Sequence, residues 1–262
     1  MSTRLDLWLV EQGFYGGRDA AKRHIAAGEV QVNGIAVTRP SFSVSEEDSV
    51  TCGSPERYVS RGGYKLERAL EETGISLSDA VVLDVGASTG GFTDCCLQHG
   101  ARRVYAVDVG HGQLHRKLRE DPAVICLENC DIRSGEMGSK LKETPTFCTV
   151  DVSFISLLQV LPAALPLLSG DARLVCLIKP QFEAGRSRIG KNGIVKDPAA
   201  HLEVLRNCCA AFSAMNCGLL WLSRSPIRGG EGNIEYLALL EKGASGITPD
   251  LKALIKEAFS HL

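Results

Sequence analysis

The N-terminus lacks the apolar run of a secretory signal, because Met1-Ser2-Thr3-Arg4-Leu5-Asp6 places charge where that run would stand. Ten cysteines are present, yet no Cys-x-x-Cys spacing occurs, and four of them form the adjacent pairs Cys95-Cys96 and Cys208-Cys209. That pattern suits neither a disulfide framework nor a metal site. The nearest ligand-like spacings, Cys126/Cys130 and His111/His115, have no second pair beside them. Buried free thiols in a reducing cytoplasm, with no metal, are the expectation. A charge excess is missing as well: 29 basic residues face 31 acidic ones, so the total does not advertise a nucleic-acid partner. Internal repeats and low-complexity segments are absent. With 44% hydrophobic and 23% charged residues over 262 positions, the chain is not a disordered, coiled-coil or collagen-like sequence.

Long hydrophobic runs are also scarce. Val152 to Gly170 is 19 residues without charge, long enough to cross a bilayer. It contains Pro162, Pro166, Ser153, Ser156 and Gln159, and Asp151 and Asp171 bracket it. A strand end followed by a buried helix explains it equally well, and no membrane partner is expected.

What is there divides into three stretches. Residues 1–51 form a compact unit with a short helix from Leu5, a second helix from Gly17 to Gly28, and an alternating run, Val30 to Val37, broken by Asn33-Gly34. Asn-Gly between alternating residues is a strong hairpin signal. Two helices and a hairpin make a binding module with no room for an enzyme pocket. Residues 52–58 are a turn-rich linker. In residues 59–262, apolar runs alternate with helical patterns: Val81–Leu83, Val104–Val107, Val124–Leu127, Phe147–Val150, Leu174–Ile178, Leu219–Leu222 and Tyr236–Leu240. Such alternation predicts an α/β fold, a parallel sheet covered by helices on both faces.

The strongest chemical signal is Asp84-Val85-Gly86-Ala87-Ser88-Thr89-Gly90-Gly91-Phe92, placed between a strand and a helix. Such a loop binds a ligand at the carboxyl edge of the sheet. A dinucleotide site would use Gly-x-Gly-x-x-Gly, but the register here reads Gly86, Ser88, Gly91, so the middle glycine is missing. Asp84 would repel a pyrophosphate and suits a cationic ligand, such as the amino-acid end of S-adenosylmethionine. Asp108, followed by Val109, ends the next strand 22 residues after Gly86, where a carboxylate accepts ribose hydroxyls. Asp131 follows the third strand and is placed for an adenine amino group. Gly86, Ser88, Gly90, Gly91 and Phe92 complete the expected cofactor site.

Topology also selects candidate catalytic groups. Asp151 and Lys179 follow the fourth and fifth apolar runs, Lys65 lies on the helix before the first, and Glu235 precedes the last. An antiparallel last strand would bring Glu235 to the edge where the others converge. Amino-group methylation of bases uses an Asn/Asp-Pro-Pro-aromatic run, but this chain reads Asp151-Val152-Ser153-Phe154. Cytosine C5 methylation uses a Pro-Cys nucleophile, and no Pro-Cys pair occurs. A Lys-Asp-Lys-Glu set suits a hydroxyl acceptor, whose proton a lysine can take when burial and a second ammonium favour its neutral form.

Six runs carry a resemblance over the whole chain: Ser60 to Leu66, Asp84 to Thr93, Asp108 to Leu114, Asp151 to Ser156, Lys179 to Glu183 and Gly232 to Tyr236. With them the chain resembles the TlyA-type ribosomal RNA cytidine 2′-O-methyltransferases, a family also called hemolysins. The first 51 residues resemble the RNA-binding domain named after ribosomal protein S-four, and the remainder an FtsJ-like, Rossmann-type methyltransferase domain. The resemblance implies S-adenosylmethionine as cofactor, the tetrad Lys65, Asp151, Lys179 and Glu235, and cytidine in assembled ribosomal subunits as substrate. No protein partner is implied. The chain starts only three residues before Arg4, like the shorter family type associated with the large subunit. It departs from the family at Gly17, where a better-capping serine is usual, and at Tyr58, where tryptophan is often found.

Charge distribution agrees with an RNA substrate. Residues 1–51 carry five basic and seven acidic side chains, but Arg18, Lys22 and Arg23 lie at helical spacing and can present one face to phosphates. Residues 179–196 hold Lys179, Arg186, Arg188, Lys191 and Lys196 against Glu183 alone. The expected RNA contacts are Arg4, Arg18, Lys22, Arg23, Arg57, Arg61, Arg188, Lys191 and Lys196. A pore former, an assembly protein or a pseudouridine synthase would each leave the cofactor loop and the tetrad unexplained.

Overall fold

A computed structural model describes residues 2–260 except Gly16, Ser54, Pro55, Gly230, Glu231 and the side chain of Lys191. The chain divides into two compact units, Met1–Ser60 and Arg61–Leu262.

The smaller unit runs β1 (Thr3–Arg4), α1 (Leu5–Glu11), α2 (Arg18–Ala26), β2 (Val30–Val32), β3 (Ile35–Ala36), β4 (Ser43–Val44) and β5 (Val50–Cys52). Leu5 and Leu9 share one face of α1, and Ala21 and Ile25 one face of α2; all four are buried with Val30, Val32 and Val44. The hairpin expected at Asn33-Gly34 is present between β2 and β3. Both turn residues have positive φ, 54° and 79°, which an Asn-Gly pair adopts at little cost. Gly17 caps α2 in extended backbone with no side chain to bond the helix.

The larger unit contains α3 (Gly62–Thr73), β6 (Val81–Val85), α4 (Gly91–Gln98), β7 (Arg103–Val107), α5 (Arg116–Arg119), β8 (Val124–Leu127), α6 (Met137–Lys140) and β9 (Phe147–Val150). It continues through α7 (Leu157–Ala164), β10 (Arg173–Ile178), α8 (Pro180–Glu183), α9 (Pro198–Ala214), β11 (Cys217–Arg224), β12 (Tyr236–Lys242) and α10 (Leu251–Ser260). All seven apolar runs become strands of one sheet, ordered β11-β12-β10-β9-β6-β7-β8. β6 to β10 are parallel where they pair, and β12 runs antiparallel between β10 and β11. β10 from Leu174 to Ile178 is wholly apolar because helices cover both faces of its sheet.

The uncharged stretch after Asp151 is a loop, then α7 and a 3-10 turn at Leu165–Leu167, with Leu157, Val160, Leu161 and Ala164 buried. Among the described residues, no helix is long and apolar enough to cross a membrane. All ten cysteines are free, and seven are buried.

Candidate active site

Sheet register builds the site. Ile178, the last residue of β10, pairs with Tyr236, the first of β12, so the chain steps to Lys179 on one strand and to Glu235 on the other at the same edge. Val150 pairs with both Val85 and Cys176, which brings Asp151 to that edge as well. Lys65 arrives from the first turn of α3 and donates to Glu235 Oε2 at 2.7 Å. Lys179 Nζ lies 2.6 Å from Asp151 Oδ1 and donates to Ser153 Oγ at 2.9 Å. The four expected groups therefore meet as two ion pairs, each lysine with its own carboxylate. Lys65, Lys179 and Glu235 are buried, at 8%, 9% and 2% exposure, and Asp151 is partly exposed. Gly229 makes room for this centre, since a Cβ there would strike the Glu235 carboxylate.

Beside the first parallel strands lies a cavity of about 420 Å³. Of the residues named for a cofactor, Gly86, Ser88, Asp108, Val109 and Asp131 line it, together with Asp151, Ile132, Arg133 and Phe154. Gly86 has φ +83°, and a Cβ at this position would collide with the Asp151 carbonyl, so the loop can approach β9 only as glycine. The loop is tied down by Gly86 N–H and Ala87 N–H, both donating to Val107 O. Asp108 accepts from Ser88 N–H at 2.8 Å and from Gly110 N–H at 2.7 Å, which fixes its carboxylate at the cavity wall. Asp131 caps the turn Ile132–Ser134 and is gripped by the Arg133 guanidinium, which holds its carboxyl below the usual range.

Four expected cofactor residues stand elsewhere. Gly90, Gly91 and Phe92 are buried behind the loop and do not line the cavity. Asp84 was expected to meet a cationic ligand end; it does not line this cavity. Asp84 is fully buried, Thr93 Oγ1 donates to Oδ2 at 2.6 Å, and Thr149 Oγ1 donates to Oδ1 at 2.7 Å. Burial pushes its carboxyl up to about 6, against the lowering effect of the two threonine hydroxyls.

A second cavity, of about 740 Å³, shares Ser153, Phe154 and Ile155 with the first. Lys179, Gln181, Phe182, Arg186, Asn233 and Glu235 also line it. Three residues here escaped the sequence reading of the site. Phe154 is 92% exposed and has φ +64°, a costly conformation for a bulky residue; its ring lies 5.3 Å from that of Phe182. Gln181 donates from Nε2 to Glu235 Oε1 at 3.1 Å. Glu183 accepts from Ser156 Oγ and Leu157 N–H, both at 2.6 Å, and so ties α8 to the start of α7; burial raises its carboxyl. Their only signal was position, within the runs Asp151 to Ser156 and Lys179 to Glu183.

The expected RNA contacts are mostly compensated. Arg4 and Arg18 converge on buried Asp6, whose carboxyl falls to about 2, chiefly through its bond from Arg4. Lys22 pairs with Asp19, Arg23 with Glu56, and Arg188 with Asp197 and Glu203. The Arg57 guanidinium lies over the Tyr58 ring, while Arg61 and Lys196 are exposed. The Lys191 side chain lies outside the described residues.

The cavity chemistry fits S-adenosylmethionine. Three carboxylates, Asp108, Asp131 and Asp151, face a single guanidinium, an arrangement that attracts a cation and repels a pyrophosphate. Its volume lies within the roughly 300–1,000 Å³ of small-molecule sites. Sheet order, antiparallel β12 and this acidic cavity define an S-adenosylmethionine-dependent methyltransferase of Rossmann-like fold.

The chain belongs to the FtsJ-like methyltransferase family, whose model matches residues 58–242; an S4 domain model matches residues 3–50. It is 38% identical over 239 residues to the 16S/23S rRNA (cytidine-2′-O)-methyltransferase TlyA of Mycobacterium tuberculosis, covering 90% of this chain and 89% of that one. Over 182 residues it is 38% identical to the 23S rRNA (cytidine-2′-O)-methyltransferase TlyA of Campylobacter jejuni, covering 69% and 70%. A solved structure from Streptococcus thermophilus bearing the hemolysin name superposes with a TM-score of 0.80 at 42% identity, covering 99% of this chain and 96% of that one.

Proposed function

We propose that this protein methylates the 2′-hydroxyl of a cytidine in ribosomal RNA, acting in the cytoplasm on assembled subunits, with large-subunit RNA as its primary substrate. One observation carries the reading. Asp151 lines the first cavity, Lys179 lines the second, and the two are paired at 2.6 Å, so a single ion pair joins a donor site to an acceptor site. Bound in the first cavity, S-adenosylmethionine supplies an electrophilic methyl group. Lys179 Nζ, acting in its neutral form, takes the ribose hydroxyl proton, and the hydroxyl oxygen is then free to attack. Ser153 Oγ holds Nζ in line. Glu235, fixed by Lys65 and Gln181, forms the far wall of the acceptor site. Phe154 and Phe182 offer aromatic faces to an unstacked base.

Large-subunit RNA is common to the names of both TlyA relatives, which supports it as the primary substrate. The S4 domain match supports recruitment of RNA by the smaller unit. Mapping ribose methylation in ribosomal RNA from cells with and without the protein tests the reading. The expected result is loss of one or a few 2′-O-methylcytidines. Identical maps, with purified enzyme inactive on both subunits, refute it.

A further inference from the structure

We propose that Gln181 reads the base of the target nucleotide, its side-chain Oε1 accepting a hydrogen bond from the exocyclic N4 amine of cytosine. The inference rests on the ribose methylation reading above. Gln181 is 8% exposed, opens α8 two residues after Lys179, and lines the second cavity. Its Nε2 donates to Glu235 Oε1 at 3.1 Å, which sets the amide orientation, because a flipped amide would turn its oxygen against the carboxylate. The other end, Oε1, is buried and finds no hydrogen-bond partner among the described residues. A buried acceptor left unpaired is costly, and in a substrate site it marks where a donor belongs.

The chemistry of the substrate identifies that donor. In an internal cytidine the phosphate oxygens, the ribose ring oxygen, O2 and N3 are all acceptors. Only two donors remain, the 2′-hydroxyl and the N4 amine. The hydroxyl proton goes to Lys179, so the N4 amine is the group left for Oε1. Uracil carries an acceptor oxygen at the same position. Gln181 would face it lone pair to lone pair, and the site would reject it. The same amide thus orients Glu235 through its donor and selects the base through its acceptor.

The test uses intact protein and reconstituted subunits carrying cytidine, uridine or the 4-unsubstituted nucleoside of 2-pyrimidinone at the target position. For the wild type, kcat/KM should fall about tenfold or more with either replacement. Gln181→Met keeps side-chain length and removes the acceptor, so its rates on the three substrates should lie within about threefold of one another. The proposal is overturned if the wild type methylates the pyrimidinone nucleotide as fast as cytidine, a measurement that requires no variant. It is also overturned if Gln181→Met loses rate but keeps the wild-type preference for cytidine, since the residue then only holds Glu235. Wild-type inactivity on the cytidine substrate itself removes the methylation reading, and this inference with it.

Discussion

Replacing Asp84 with asparagine should make the protein more stable at neutral pH and leave its stability at low pH nearly unchanged. Burial raises this carboxyl from 3.8 to about 6, so the folded chain holds a proton that the unfolded chain releases. Below about pH 4 both states carry the neutral acid, and no penalty exists. Between pH 4 and 6 the unfolded state ionises first and stability falls; above 6 the full penalty is present. At about 1.4 kcal/mol per pH unit of displacement, the ionised group costs the fold about 3 kcal/mol at pH 8. Asparagine mimics the protonated acid. Its oxygen accepts from one threonine hydroxyl, and its amide donates to the other, because a hydroxyl can serve in either role. Urea denaturation of both proteins from pH 4.5 to 8 reads the difference directly. The gap in unfolding free energy should widen by about 2 kcal/mol across that range. Because Asp84 does not reach the cavity, affinity for S-adenosylmethionine should change less than about threefold. Parallel stability curves would refute the buried-charge reasoning, and a large affinity loss would return Asp84 to the cofactor site.

Three further outcomes follow from the geometry. Lys179→Ala should lower methyl transfer by about 100- to 10,000-fold with cofactor affinity nearly intact; unchanged turnover in a folded variant removes Lys179 from the proton path. Asp108→Ala should weaken S-adenosylmethionine binding about ten- to a hundredfold, measured by calorimetry, because the ligand loses a charged acceptor and Ser88 loses its anchor. Reversing the charges of Arg18, Lys22 and Arg23 together should raise the apparent KM for subunits and flatten its salt dependence, while cofactor binding stays the same. An unaltered KM would say that the smaller unit does not recruit the RNA.

The sheet was legible because its strands are covered on both faces, so each reads as an unbroken apolar run needing no partner to recognise. The shared edge of Asp151, Lys179 and Glu235 was legible too, since strand ends define an edge before any distance is known, whereas Lys65 comes to it from α3. How the four divide into pairs was not, because that depends on the register of β10 against β12. The surroundings of Asp84 were hidden for a similar reason. Thr149, which satisfies it, lies 65 residues away on another strand, and no local pattern announces a buried threonine clamp. Gln181 and Phe154 sit inside runs that were recognised as wholes, yet nothing in composition marks an unpaired amide oxygen or a left-handed phenylalanine. Charge counting overstated the free basic surface, because Arg4, Arg18, Lys22, Arg23 and Arg188 each keep a carboxylate.

The place of β12 has a consequence for the order in which the molecule becomes an enzyme. Synthesis proceeds from the N-terminus, so the smaller unit, then β6 to β9, and then the rest of the first cavity's lining up to Val160 in α7 emerge first. Glu235, 170 residues beyond its partner Lys65, is made near the end, just ahead of the strand that must wedge between β10 and β11. Until that strand inserts, Lys65 has no counter-charge and the acceptor cavity has no far wall. The acceptor cavity is therefore the last part of the site whose residues are made.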